Sequence, residues 1–322
     1  MTRRLSADQV DEAATLLQQG ELVAFPTETV FGLGASLLRD QALDALFKVK
    51  GRPLDNPLIV HIPDLSHAEL LTRDLPQVFF QLAERFWPGP FTMIVPKSVN
   101  VSKKATGGLD SVALRIPSHK TAQALLRSVN EPLVAPSANL SGKPSGTCID
   151  HVLEDFDGKI AAVIEGSVLL GIESTVVSLL HDQIVVVRPG CIAKEEIEAF
   201  LHREVALSHA KNIATNIATN IAPGMKYRHY APLARVELFL TTEDLERHLE
   251  QSPAISRLLI AKKPYGSLPF CPLSMLSLYD ALRKADHMRC DEVVILCDVE
   301  TQKNAGLMNR LEKAASTQDA RV

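Results

Sequence analysis

The 322-residue chain is about twice a typical domain in length, which predicts one large domain or two unequal ones. A composition of 46% hydrophobic and 22% charged residues, with 16 Gly and 19 Pro, excludes a disordered tail and a collagen-like fibre. Lys+Arg 34 against Asp+Glu 38 leaves a net charge of −4, which speaks against a protein built to coat nucleic acid or an anionic membrane. The apolar runs LVAF, LLIA and VVIL fall far below the roughly 18 residues of a membrane span. The opening MTRRLSADQVDEAA has no signal-peptide apolar stretch, so no membrane association and a cytoplasmic location are expected. The cysteines Cys148, Cys191, Cys271, Cys290 and Cys297 are scattered, without a CxxC pair or a His at zinc spacing. Free thiols and no protein metal site are the expectation.

Ser6 and Gln9 have capping-box spacing, Val10, Ala13, Ala14 and Leu17 recur at helical period, and Gly20 follows, which predicts a first helix. A strand at 22–25 is broken by Pro26, and a helix over 40–49 carries Leu43, Leu46 and Phe47 on one face. Next come a strand at 58–62, a helix over 77–86 opened by Pro76, the rigid turn Trp87-Pro88-Gly89-Pro90 and a strand at 91–95. A strand at 111–116, a helix over 119–129 capped by Ser118, a strand at 133–135 and a helix over 149–156 follow. Strands at 160–165, 174–180 and 184–188 and a helix over 194–201 close this part. Several adjacent strands lack a crossover helix, which predicts a mixed sheet.

Residues 212–222 spell NIATNIATNIA, a tandem repeat with neither helical nor strand periodicity, read as linker. Beyond Pro232 the pattern restarts, with strands at 236–240, 258–261 and 293–296 and helices over 277–285 and 308–315. The expected organisation is a large domain over 1–206, a linker or lid over 207–234 and a small α/β domain over 235–322.

The common nucleotide and hydrolase motifs are absent: there is no GxxxxGK[ST], GxSxG or HExxH, and Gly32-Leu33-Gly34-Ala35 lacks the third small residue of a dinucleotide fingerprint. Polar residues at strand ends and in loops remain. Thr27, Glu28 and Thr29 follow a buried strand and precede two glycines that permit close backbone approach. Lys50-Gly51-Arg52-Pro53 places two cations on a stiff turn, suited to a polyphosphate, although Lys50 also suits the C-terminal dipole of its helix. Asn56 and His61 flank the next strand. Ser111 and Arg115 share one face of a strand, and Arg115 inside VALRIP needs a buried anion, from the protein or from a ligand; spacing does not separate the two. The stretch 135–145, with Ser137, Asn139, Ser141 and Ser145, is too long and polar for a simple turn and reads as a binding loop. Ser174 opens one strand and Arg188 closes another. The segment 223–232 concentrates Tyr227, Tyr230, His229, Lys226 and Arg228, unlike an ordinary linker. Many cations and hydroxyls with few carboxylates suit a nucleoside triphosphate plus a carboxylate. With no nucleophile–base pair evident, the chemistry is expected to rest on positioning and charge stabilisation.

The stretches FPTETVFGLGA (25–35), KGRPLDNPLIVHI (50–62), FWPGPFTMIV (86–95), VALRIPSH (112–119), APSANLSGKPSGT (135–147), GIESTVVSL (171–179), VVRPGCI (186–192) and APGMKYRHYAP (222–232) together resemble the threonylcarbamoyl-AMP synthases, in their two-domain branch. The resemblance implies a YrdC-like domain with a twisted mixed sheet and flanking helices, then a linker and a small Rossmann-like α/β domain. It implies that L-threonine, bicarbonate and ATP, with Mg2+ on the phosphates, give threonylcarbamoyl-AMP and pyrophosphate. A downstream transferase complex then modifies the tRNA adenosine beside the anticodon, and direct tRNA binding is expected to be weak or absent. The family's KxR…SxN signature falls on Lys50, Arg52, Ser137 and Asn139, with Lys50 and Arg52 catalytic. The same carry-over gives Asn56, Ser111, Ser145, Arg188 and Tyr230 to ATP, and Thr29, His61, Arg115, Ala135 (through its backbone) and Ser174 to threonine. On this reading the anion facing Arg115 is the threonine carboxylate, and 223–232 is a lid over the adenylate. Phe31 stands where the family often has Tyr. One alternative is an RNA-binding module of the same fold, opposed by the acidic total and the 5% aromatic content. Another is carbamoyl-phosphate-dependent transfer, which lacks its zinc-finger cysteines and acylphosphatase-like domain here.

Overall fold

The computed structural model describes residues 1–208 and 229–316. The NIAT repeat and the part of the expected lid up to Arg228 lie outside the described residues. The first lobe is one mixed sheet of 11 strands in the order Arg3–Leu5, Ala162–Ile164, Val23–Phe25, Gly32–Ser36, Leu133–Val134, Ile59–His61, Ser111–Arg115, Phe91–Pro96, Thr175–Ser178, Val185–Arg188 and Ala206–Leu207. Parallel and antiparallel pairings alternate irregularly, as the missing crossover helices predict.

Period-two geometry divides the core between the two sheet faces. Val23 and Phe25 pack with Leu17, Leu125 and Leu126 of the helices Val10–Gln18 and Lys120–Val129. Leu22 and Ala24 join the opposite cluster with Leu43, Leu46, Phe79 and Leu82, from the helices Asp40–Lys50 and Gln77–Phe86. Burial on both faces is why LVAF reads as an unbroken apolar run.

The second lobe is a four-stranded, wholly parallel sheet, ordered Arg235–Phe239, Glu292–Leu296, Arg257–Ala261 and Phe270–Pro272. Its core is shared with the first lobe: Val30 and Ile172 belong to the same apolar cluster as Tyr279, Leu282, Leu307 and Leu311. Gly306 approaches Gly190 so closely that a Cβ on it would lie 2.2 Å from the Gly190 carbonyl oxygen.

Several elements differ from the sequence reading. Gly32–Ser36, for which no strand is expected, is a fully buried strand; a Cβ on Gly34 would meet the Phe25 ring at 2.9 Å, so the glycine serves close packing. The Ser6 box is only half formed, with Gln9 Oε1 accepting from Ser6 N and the helix starting at Val10. His119, not Ser118, caps the helix Lys120–Val129, its Nδ1 accepting from Thr121 N at 3.2 Å. The strands Arg3–Leu5, Ala206–Leu207 and Phe270–Pro272 and the helices Leu65–Leu71, Thr242–Gln251 and Val299–Lys303 were not expected. The strands are two or three residues long and owe their identity to a partner. The helix Thr242–Gln251 buries Leu245 fully and Leu249 in part, an apolar face of only two residues. Among the described residues no helix is long and apolar enough to cross a membrane, and the five cysteines are free thiols.

Candidate active site

A cavity opens where the strands carrying His61 and Arg115 meet the loop after Leu133–Val134 and the start of Thr175–Ser178. Parallel register puts His61 directly beside Arg115. The Arg115 guanidinium is buried and clamped on three sides. Nη2 donates to Glu28 Oε1 at 2.7 Å, Nη1 to Thr29 Oγ1 at 3.0 Å and Nε to the Gly89 carbonyl at 3.2 Å. The anion that the sequence demanded for Arg115 is thus, within the chain, the Glu28 carboxylate. Burial works to raise the Glu28 carboxyl, but the charge and hydrogen bond of Arg115 more than offset it and hold it below its ordinary value. Burial first, then Arg115, pushes His61 down to about 3, so the imidazole is neutral at physiological pH. Its Nδ1 is buried without a partner.

The Ser174 hydroxyl pairs with Thr92 Oγ1 at 2.8 Å, and Arg188 Nη2 donates to the Ser174 carbonyl at 2.9 Å. Gly51, in the left-handed conformation with φ 60°, ends the helix Asp40–Lys50 and turns Arg52 toward the cavity. Arg52 is steadied by Asn56, its Nη2 donating to Asn56 Oδ1 at 2.8 Å. Burial brings the Arg52 guanidinium down to about 10, so it remains a cation. Lys50 Nζ turns to the 135–145 loop and donates to the carbonyls of Ser137 and Asn139, each at 2.6 Å. Tyr230, at φ 64°, stacks on Tyr279 with ring centroids 5.5 Å apart.

Thr29, His61, Arg115, Ala135 and Ser174, the five residues read as a threonine set, all line this cavity. From the ATP set, Arg52, Ser137, Arg188 and Tyr230 line it as well. Lys50, Asn56, Asn139 and Ser145 lie behind that lining, as partners of Ser137, Arg52, Lys50 and Glu173 respectively. Ser111, at the far end of the strand from Arg115, does not line the cavity; four residues of strand put it roughly 13 Å away.

Sequence reasoning noted Glu28, Glu173 and His229 among the polar candidates but gave none of them a role in this site. Glu173 lines the cavity, and its carboxylate accepts from Ser145 Oγ at 2.6 Å, Tyr279 Oη at 2.8 Å and Arg310 Nε at 2.7 Å. Burial opposes its charge, but Arg310 and Arg188 overcome that and hold it at about 2. His229 lines the cavity with Nε2 unpartnered, and burial pushes it to about 3. The available signal was adjacency, since Glu28 and Glu173 each directly precede a residue already singled out.

The fold and site define a two-domain α/β protein with a pocket lined by Arg52, Arg115 and Arg188. The family described as "Telomere recombination" matches residues 15–190, and "Threonylcarbamoyl-AMP synthase, C-terminal domain" matches residues 192–316. The threonylcarbamoyl-AMP synthase of Pyrococcus abyssi is 41% identical over 97% of this chain and 95% of its own length. That of Bacillus subtilis is 41% identical over 95% and 93%. The crystal structure of P. abyssi Sua5 complexed with L-threonine matches with a TM-score of 0.89 at 38% identity, covering 98% of this chain and 97% of that one. The chain belongs to the threonylcarbamoyl-AMP synthase family, a family of enzymes.

Proposed function

We propose that this enzyme condenses L-threonine, bicarbonate and ATP to threonylcarbamoyl-AMP and pyrophosphate, supplying a transferase complex that modifies tRNA. The observation that carries the reading is that residues of both expected sets line one cavity. Thr29, His61, Arg115 and Ser174 line it together with Arg52, Ser137 and Arg188, and Arg188 reaches Ser174 directly. Glu28 and Gly89 hold two corners of the Arg115 guanidinium and leave Nη1 directed at Thr29, a geometry suited to a threonine carboxylate. Neutral His61 beside it adds no second positive charge. The amine nitrogen attacks bicarbonate carbon with loss of water. A carbamate oxygen then attacks the α-phosphorus of ATP, and the bond to pyrophosphate breaks. Arg52, with Lys50 ordering the loop carbonyls beside it, would stabilise the charge that builds on the departing phosphates.

Among the described residues no group of three or more His, Cys, Asp or Glu comes together, and each cavity carboxylate is taken by an arginine. In this reading Mg2+ enters as part of the ATP substrate, on its phosphates. Asn56, Ser111, Asn139, Ser145 and Tyr230 complete the ATP set in this reading, and Ala135 the threonine set. A cytoplasmic setting and weak or absent direct tRNA binding go with the net charge of −4. The domain limits 1–206, 207–234 and 235–322 go with it as well. The test is pyrophosphate release from ATP and magnesium with each co-substrate omitted in turn and serine as control. Release that needs both threonine and bicarbonate is expected; release indifferent to either refutes the reading.

A further inference from the structure

The 135–145 loop is held from two directions. Its own domain supplies Lys50, which binds the Ser137 and Asn139 carbonyls. The rest of the loop is gripped from the second domain by two arginines whose side chains are 2% and 0% exposed. Arg283, on the helix Leu278–His287, donates through Nη2 to the Pro144 carbonyl at 2.7 Å and to Asp155 Oδ2 at 2.8 Å. Asp155 in turn accepts from Leu140 N at 3.1 Å and Lys143 Nζ at 3.0 Å. Arg310, on the helix Ala305–Ala315, grips Glu173, whose other oxygen accepts from Ser145 Oγ. The same guanidinium lies 5.3 Å from the Tyr230 ring centroid. Both ends of the stretch from Leu140 to Ser145 therefore hang on first-domain carboxylates, Asp155 and Glu173, that are paired with second-domain arginines.

Burying a guanidinium is costly, and well-packed apolar residues would join two domains at least as firmly. A fixed direction is what a charged fork adds. Away from Arg283, Thr29 is held by Thr27, and Ser174 by Thr92 and Arg188. We propose that Arg283 and Arg310 are positioning residues through which the second domain sets the 140–145 loop, so that affinity for ATP, and not for threonine, depends on that domain. This rests on the substrate assignment made above.

Steady-state pyrophosphate release by the full chain tests it, comparing wild type with Arg283→Gln, Arg283→Lys and Arg310→Lys. Lys284→Gln, at an exposed position on the same helix, serves as control. The ATP KM is expected to rise about ten- to hundredfold in Arg283→Gln and Arg310→Lys, the scale of a misplaced binding element. In Arg283→Gln the threonine KM should stay within about twofold, because Thr29 and Ser174 keep their bonds to Thr27 and Thr92, which Arg283 does not touch. Calorimetric binding of a non-hydrolysable ATP analogue should weaken by the same factor. An unchanged ATP KM in a folded variant overturns the proposal, as does a threonine KM that rises in step. Arg283→Lys keeps a charge beside Asp155 but loses the fork to Pro144, so a folded Arg283→Lys with the wild-type ATP KM overturns it as well. A wild-type enzyme that needs neither threonine nor bicarbonate rejects the substrate assignment instead, which keeps the two failures apart.

Discussion

Replacing Arg115 by methionine keeps most of the side-chain volume but leaves the Glu28 carboxylate buried without its cation. Both partners are almost fully enclosed, at 5% and 2% side-chain exposure. One Glu28 oxygen already lacks a hydrogen-bond partner, so the Arg115 bond to the other carries much of the compensation. Removing one member of such a pair costs about 3–5 kcal/mol, a large share of the 5–15 kcal/mol that roughly bounds domain stability. The bonds to Thr29 and Gly89 are lost with it. Urea unfolding followed by the fluorescence of Trp87, the chain's one tryptophan, reports on this region. That indole is buried, donates to the Phe91 carbonyl at 2.6 Å and lies two residues from Gly89. Arg115→Met combined with Glu28→Leu should regain a large part of the loss, with a coupling energy above about 1.5 kcal/mol. A single-variant loss below about 1 kcal/mol, or purely additive effects, would refute the reasoning, because a buried carboxylate cannot be stranded so cheaply. The threonine KM of Arg115 variants must accordingly be measured where they remain folded, since the same guanidinium serves stability and the proposed ligand.

His61 and His229 each have an ordinary value of 6.5 and a folded value of about 3. Between those values the unfolded chain binds more protons, so stability rises with pH and is lost as pH falls below 6.5, by roughly 2 kcal/mol for each histidine near pH 5. Glu173, held at about 2 against 4.5, extends the loss to lower pH with the same sign. Thermal midpoints from pH 7 down to pH 5 should fall, and fall less in His61→Gln; a flat wild-type profile contradicts the burial argument. Gly306→Ala pushes a methyl against the Gly190 carbonyl and should cost about 1–3 kcal/mol, read as a lowered midpoint by calorimetry. A wild-type midpoint would show that this approach is not tight. Lys50→Met frees the Ser137 and Asn139 carbonyls and should lower kcat for pyrophosphate release by about a hundredfold or more. Turnover within a few-fold of wild type removes Lys50 from the machinery.

Local sequence determined whatever depends on neighbours along the chain. Leu43, Leu46 and Phe47 repeat at helical period and form one buried face, and LVAF is a strand enclosed on both sides. Many residues of the cavity and its support were legible because they come in short clusters, KGR and APSAN among them, whose chemistry is visible without a fold. Pairing across the fold was not legible. Arg115 asks for an anion, and only the tertiary structure decides that Glu28, 87 residues away, answers. Glu173 reads as an ordinary acid before a strand until Arg310, 137 residues on, closes against it. The strand Gly32–Ser36 has glycines where a strand former would be expected, because its neighbour Phe25 occupies the space a side chain would fill. Periodicity and composition are properties of contiguous residues, whereas a buried charge is satisfied by whichever group the sheet order and the domain interface bring within hydrogen-bond distance, and that follows only from the folded chain.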